Sequence, residues 1–86
     1  MPELSRFYGI SILFHTREHS PAHFHADYQG HEAVFDITTL RLTQGRLPPR
    51  ARSLVVEWAA LHREELMNAW LTLRAGRVPE KIAPLD

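Results

Sequence analysis

The sequence has no cysteine and no apolar run long enough to cross a membrane. The first absence excludes a disulfide framework, and the second predicts a chain that does not span a bilayer. The N-terminal residues lack a basic stretch followed by an apolar one, so we expect no signal peptide and a cytoplasmic location. Ten basic and ten acidic residues cancel, which removes any general electrostatic argument for nucleic acid and leaves only local charged patches.

Composition and length predict one globular domain over residues 1–86. Hydrophobic residues make up 44% of the chain and charged residues 23%, a balance that is too apolar for disorder. A chain of this size buries only about 60 to 65% of the surface that its unfolded form exposes. Its core is therefore small, and a partner or a bound ion would add stability.

Hydrophobic periodicity predicts an α+β fold, in which an antiparallel meander of three or four strands packs against one long C-terminal helix. Apolar and β-branched runs place the strands at about residues 6–14, 23–29, 31–37 and 40–42. Strong helix formers, with proline tolerated in the first turn, place the helix at about residues 49–75.

The predicted helix has two apolar sides. Advancing about 100° per residue gathers a wide arc that should face the sheet, and a narrower stripe lies roughly opposite. A helix that is apolar on both sides is either sandwiched or dimerised. We therefore expect the stripe to be an interface with a second copy or with another protein. The arc comprises Ala51, Val55, Trp58, His62, Leu66, Ala69 and Leu73, and the stripe comprises Val56, Ala60, Met67 and Leu71.

Histidines and carboxylates alternate along a predicted hairpin between residues 23 and 36. Successive strand residues point to opposite faces, so every second side chain shares a face. With Gln29-Gly30 as a two-residue turn, one surface would carry two imidazoles and three carboxylates. The predicted cross-strand pairs are Asp27 with Glu32, His25 with Val34, and His23 with Asp36.

This polar face has three interpretations. As a metal site, the His-x-His pair would bind a divalent transition metal such as zinc, nickel or iron, with carboxylates opposite. As a solvated face, His23 would bond Asp36 across the ladder. As a metal-free site, His23 and His25 would perform acid–base catalysis or sense pH, and His15 and His19 in the adjoining loop would enlarge the cluster. The candidate metal ligands are His23, His25, Asp27, Glu32 and Asp36.

His62 lies in the middle of the inward arc of the predicted helix. As a structural residue it would be neutral and bonded to the sheet, for instance to Tyr28. As a catalytic residue it would act as an acid or base, with Glu65 one turn along as its orienting carboxylate. We expect it to be separate from His23 and His25, because the helix should cover the opposite face of the sheet.

Arg46, Arg50 and Arg52 form a basic patch, together with Arg41, around the start of the predicted helix. The helix macrodipole disfavours cations in the first turn. A bound anion such as a nucleic-acid phosphate would relieve this mismatch. Exposed arginines also tolerate such positions at small cost, so the patch has a purely structural explanation as well.

Six motifs are spread over nearly the whole chain: Ser5–Ile10, His19 with Pro21, His23–Tyr28, Leu47–Ala51, Val56–Trp58, and His62–Leu66 with Trp70. Together they resemble one family of small uncharacterised bacterial proteins, domain-of-unknown-function family 4160. The resemblance implies a gene that lies beside another small protein of the family 2442 type, and hence a component of a toxin–antitoxin-like pair. It implies no reaction and no catalytic residues.

Two hypotheses for function follow. In the first, the protein is a protein-interaction component of a toxin–antitoxin-like operon pair, binding a second copy or a small operon-encoded partner through the helical stripe. In the second, it is a small metal-assisted or histidine-based ribonuclease, whose arginines hold phosphate. A nucleic-acid-binding regulator is a third alternative with less support, because the sequence has no net charge and no helix-turn-helix pattern.

Overall fold

A computed structural model describes residues 3–15 and 21–86. Within them, five strands form one antiparallel sheet in which each strand pairs with the next along the chain, and two helices follow. The predicted α+β class and the meander are confirmed, whereas the expected three or four strands and single helix are imprecise. The elements are β1 (Glu3–Phe7), β2 (Ile10–Leu13), β3 (His23–Tyr28), β4 (His31–Asp36), β5 (Leu42–Gly45), α1 (Pro49–Leu61) and α2 (Arg63–Arg74).

The predicted first strand over residues 6–14 is wrong, because a tight turn divides it. Tyr8 and Gly9 both have positive φ, at 51° and 79°, and Phe7 pairs with Ile10 across them. Two left-handed residues in a two-residue loop are typical of a type I′ turn, whose twist matches that of the strands. The stretch therefore forms a hairpin of β1 and β2 rather than one long strand.

The hairpin of β3 and β4 has the predicted register. Gln29 and Gly30 have φ of 45° and 82°, again the geometry of a type I′ turn. His23 lies opposite Asp36, and Asp27 lies opposite Glu32. The pairing also fixes the faces of the sheet, because directly opposed residues point to the same side.

The fourth predicted strand, at residues 40–42, is displaced towards the C-terminus. Leu40 has a φ of 61° and belongs to the turn after β4, where the backbone N–H of Thr39 donates to Asp36 Oδ1 at 2.8 Å. This short carboxylate bond stabilises the turn, so β5 begins only at Leu42. Val34 pairs with Gln44 and Phe35 with Leu42, so the register shifts between them and marks a bulge in β5.

The predicted single helix is interrupted at His62, which has φ −122° and ψ 25°. Its N–H still donates to the carbonyl of Trp58 at 3.1 Å, and its carbonyl accepts from Leu66 at 2.9 Å. The two helices therefore follow each other with little loss of backbone hydrogen bonds. Neither helix in the described part of the chain is long and apolar enough to cross a membrane.

The helices cover one face of the sheet. Trp58 is fully buried and its ring lies 5.4 Å from that of Phe7 and 6.2 Å from that of Phe24. Trp70 of α2 packs edge-on against Phe14 at 5.7 Å. The predicted inward arc is buried at Ala51, Val55, Trp58, Leu66 and Ala69 and half-buried at His62 and Leu73.

The C-terminal tail is irregular and lies along β1. The backbone N–H of Ile82, which is buried, donates to the carbonyl of Leu4 at 2.7 Å. The indole N–H of Trp58 donates to the carbonyl of Ala83 at 2.8 Å, and the hydroxyl of Tyr8 donates to that of Asp86 at 2.6 Å. The tail therefore occupies part of the outer edge of the sheet.

Charged side chains add a smaller link between β1 and the tail. Arg6 donates to Glu3 at 2.8 Å, and the ammonium of Lys81 lies 3.9 Å from the other oxygen of the same carboxylate. The hydrogen bond from Arg6 lowers the pKa of Glu3, and the nearby cationic charges act in the same direction against partial burial. Exposed pairs of this kind contribute at most about 1 kcal/mol.

Two glycines with positive φ make a matched test of the β4–β5 contact. A Cβ on Gly45 would overlap the carbonyl oxygen of Glu32, whereas a Cβ on Gly30 would meet open space. Gly30→Ala should cost about 1 kcal/mol for its φ alone, and Gly45→Ala about 2 kcal/mol more because β5 must move. Denaturant unfolding of the two variants measures the difference, and equal costs would contradict the close packing of these strands.

Candidate functional site

Three imidazoles lie in contact on the side of the sheet opposite the core residues of β3; we call His15, His23 and His25 the imidazole cluster. The rings of His15 and His25 stack at 3.6 Å with an angle of 14° between their planes. The rings of His23 and His25 meet edge-on at 5.3 Å. The expectation that His15 joins the hairpin histidines is confirmed, while His19 lies outside the described residues.

His23 also reaches the helical layer, which the sequence did not predict. Its ring lies 5.1 Å from the ring of Trp70, and the guanidinium of Arg74 lies 5.8 Å from the same tryptophan ring. His23 is the first residue of β3. Its side chain therefore lies at the end of the sheet, where it contacts the helical layer. The predicted separation of this imidazole from the helices is therefore wrong.

The predicted bond between His23 and Asp36 is not formed. The two residues are cross-strand neighbours, but Nδ1 of His23 donates to the carbonyl of Pro21 at 2.8 Å, while Asp36 holds the turn at Thr39. Because a carbonyl can only accept, the proton of a neutral His23 ring lies on Nδ1, and Nε2 carries the lone pair.

The candidate metal ligands do not assemble into a metal site. Among residues 3–15 and 21–86, no group of three or more His, Asp or Glu side chains is placed to hold a metal ion. The lone pairs of an imidazole lie in its ring plane, so the stacked rings of His15 and His25 direct theirs side by side rather than towards one point. The metal interpretation of His23, His25, Asp27, Glu32 and Asp36 is not supported.

Asp27 and Glu32 face each other as predicted, and both line a cleft at the turn end of the hairpins. The Oδ1 atom of Asp27 is buried and has no hydrogen-bond partner among the described residues. It lies by a shallow cleft of about 310 Å³ at the turn end of the hairpins, where Ser11 and His31 also contribute to the wall. Asp27 lies two residues from His25 on the same face of β3, yet within the described residues the two do not belong to a group of three ligands that could hold a metal ion.

His62 forms a separate pair with Glu65. Its Nδ1 donates to Oε1 of Glu65 at 2.6 Å, and its ring lies 5.3 Å from that of Trp58. The side chain of His62 is 17% exposed and that of Glu65 is 54% exposed. The predicted orienting carboxylate is therefore present, whereas the alternative bond to Tyr28 is not formed. This pair sits where the helix is interrupted and is not part of the imidazole cluster.

The arginine patch is exposed and divided between the two ends of β5. Arg41 comes just before the strand, and its backbone carbonyl accepts from the backbone N–H of Asp36 at 3.0 Å. Arg46 comes just after the strand, and its backbone N–H donates to the carbonyl of Glu32 at 3.2 Å. Arg50 and Arg52 are exposed in the first turn of α1, which has no acidic residue and no side-chain cap. Register therefore places Arg46 at the end of the sheet away from His23.

The predicted interface stripe is only partly free. Val56 and Met67 are half-buried and pack against the core, whereas Ala60 is exposed and Leu71 is 58% exposed. Leu61, which is 68% exposed, was missed because it falls outside both helical arcs.

Sequence reasoning also missed Trp70 as a neighbour of the histidines. On an ideal helix this residue lies about 120° from Trp58, at the margin of the predicted arc, yet it is buried at 3% exposure. Its large ring closes the end of the core between Phe14 and His23. A tryptophan at the margin of an apolar arc can indicate a buried residue, because the large side chain reaches the core from there.

Comparison with known proteins gives one match. Residues 9–71 match the family model described as "Domain of unknown function (DUF4160)". No curated protein and no solved structure matches the chain. The matched range runs from the turn between β1 and β2 through most of α2, so it includes β3, β4, β5 and the arginine patch. The chain therefore belongs to the DUF4160 family, as its motifs suggested.

Proposed function

We propose that this protein acts in the cytoplasm by binding a partner protein, as one component of a toxin–antitoxin-like pair. The observation that carries the proposal is the apolar surface on the outer side of the helices. Leu61 and Leu71 are each more than half exposed, although large aliphatic side chains gain most from burial. A partner that covers them would remove this surface from water.

The predicted stripe draws on both helices. Ala60 is exposed near the end of α1, and Leu71 is exposed in α2, beyond the interruption at His62. Val56 of α1 and Met67 of α2 are half-buried. Arg63 and Glu64 lie beside them and are exposed, which supplies the polar rim that protein interfaces usually have.

The occupant of this surface is either a second copy of the chain or the product of the adjacent gene. The resemblance to relatives encoded beside a family 2442 type protein supports the second. The small size of the domain also supports a partner, since a chain of 86 residues has limited core to bury.

Leu71→Glu should weaken association about tenfold or more, because it places a charge in a surface that becomes dry. The fold should survive, since Leu71 is exposed; Met67 is half-buried and would be a poorer choice. Light scattering of the protein alone and mixed with the adjacent gene product measures the effect. Val78→Glu is the matched control, because Val78 is 84% exposed and lies beyond α2. Unchanged mass for Leu71→Glu in both samples would contradict the proposal.

A metal-free ribonuclease is the second candidate, and the imidazole cluster favours it. Adjacent imidazoles can supply an acid and a base at neutral pH, and the ring of Trp70 beside His23 offers an aromatic surface for a base. Arg46 lies at the far end of the sheet from these rings, so phosphate contacts would fall to Arg41 or Arg74. This separation is why we place binding ahead of catalysis.

For the ribonuclease, His25→Ala should reduce RNA cleavage about a hundredfold or more, as removal of an acid–base group does. His31→Ala is the matched control, because His31 is exposed and lies outside the imidazole cluster. A fluorogenic RNA substrate and protein purified without a histidine tag give the readout. Absence of cleavage by the natural protein, or equal losses in both variants, would end this candidate.

A further inference from the structure

The segment that contains the last strand of the sheet carries a concentration of positive charge. Between Asp36 and Glu57 the sequence has four arginines and no acidic residue, in a chain whose net charge is zero. All four guanidinium groups, those of Arg41, Arg46, Arg50 and Arg52, belong to exposed residues, and none has an ion-pair partner within the described residues. The acids that balance this charge lie elsewhere in the chain.

Strand β5 itself has a neighbour on one side only in the described sheet. It is the last strand in the sheet order, and Thr43, Gln44 and Gly45 are exposed. Backbone N–H and C=O groups alternate in direction along a strand, so half of those in β5 point away from β4. At the opposite edge of the sheet, the tail bonds to Leu4 of β1. The tail therefore pairs with part of the β1 edge, whereas no described residue pairs with the β5 edge.

We propose that β5 is a docking edge for an extended acidic segment of a partner protein, which adds a sixth strand to the sheet. The inference rests on the proposed role in protein binding but uses a surface separate from Leu61 and Leu71. Arg41 and Arg46 flank the strand at a separation of five residues, and the bulge in β5 brings them closer than the roughly 16 Å of a fully extended stretch. A partner strand with acidic side chains about five residues apart would meet both guanidinium groups.

Other occupants fit this edge less well. In antiparallel pairing with a second copy, Arg41 of each chain would lie near Arg46 of the other, and like charges directly opposed destabilise a ladder. A nucleic-acid backbone would satisfy the arginines, but its phosphates only accept hydrogen bonds, while the edge also presents carbonyls that need donors. A polypeptide strand offers N–H donors and C=O acceptors in alternation, so it can pair with both the carbonyls and the N–H groups of the edge.

The probe is a capped six-residue peptide with glutamates at its two ends and alternating valine and threonine between them. We expect it to shift the amide resonances of residues 42–45 in a ¹⁵N spectrum of the full chain. Two control peptides separate charge from strand pairing. One has the same composition with the glutamates in the centre, and the other carries N-methyl groups on alternate residues, which removes backbone donors and leaves the charge.

Arg41→Glu combined with Arg46→Glu should weaken binding of the peptide about tenfold, and the same variant should prefer a peptide ended by lysines. Arg77→Glu, an exposed substitution beyond α2, should leave the affinity unchanged within about twofold. Leu71→Glu should also bind the peptide normally, so this inference and the proposed function fail separately. The dispersion of the spectra shows that each variant is folded.

Three results would overturn the inference. The first is no shift at residues 42–45 with the glutamate-ended peptide. The second is equal binding of the N-methylated or central-glutamate peptide, which would indicate charge attraction without strand pairing. The third is binding of a single-stranded RNA oligonucleotide, with the same dependence on Arg41 and Arg46, where the peptide does not bind.

Discussion

The hydrogen bond from the indole of Trp58 to Ala83, with the packing around that ring, connects the three parts of this small domain. The ring is fully buried and contacts Phe7 of β1 and Phe24 of β3. A buried indole N–H without a partner would cost about 1 to 3 kcal/mol. The tail supplies its acceptor, so the sheet, α1 and the C-terminal residues are stabilised together.

This arrangement decides which surfaces remain for binding. The tail that accepts from Trp58 also bonds to β1 through Ile82, and therefore one edge of the sheet is occupied while β5 stays exposed. The helices bury their inner side against the strands and leave Leu61 and Leu71 outward. The same packing therefore leaves two separate exposed surfaces, an apolar one on the helices and a cationic one at β5.

The parts of the fold that could be predicted are those fixed by local chemistry. The Gln29-Gly30 turn sets the register of β3 and β4, because a two-residue loop with two left-handed residues allows one pairing. The same turn at Tyr8-Gly9 was missed, since the residues on both sides of it are rich in aromatic and β-branched side chains and resemble one long strand. The interruption at His62 could not be predicted either, because no proline or glycine marks it.

The candidate site shows a second limit of pattern reasoning. Alternation places a residue on a face, but it does not set the direction of a side chain at the end of a strand. His23 therefore turned out to contact Trp70, and Asp36 to hold a turn. The stack of His15 on His25 involves a residue outside the hairpin, which alternation cannot place. The five metal ligands expected from spacing alone consequently make contacts with different parts of the structure and do not form one site.

Hydrogen exchange in Trp58→Phe tests the central claim most directly. Phenylalanine keeps an aromatic ring in the core but removes the donor to Ala83. The account predicts that the amide of Ile82 loses protection by a much larger factor than the amides of Phe24 and Ala26 in the centre of the sheet. Unchanged protection at Ile82, or equal losses in tail and sheet, would contradict the role assigned to this hydrogen bond.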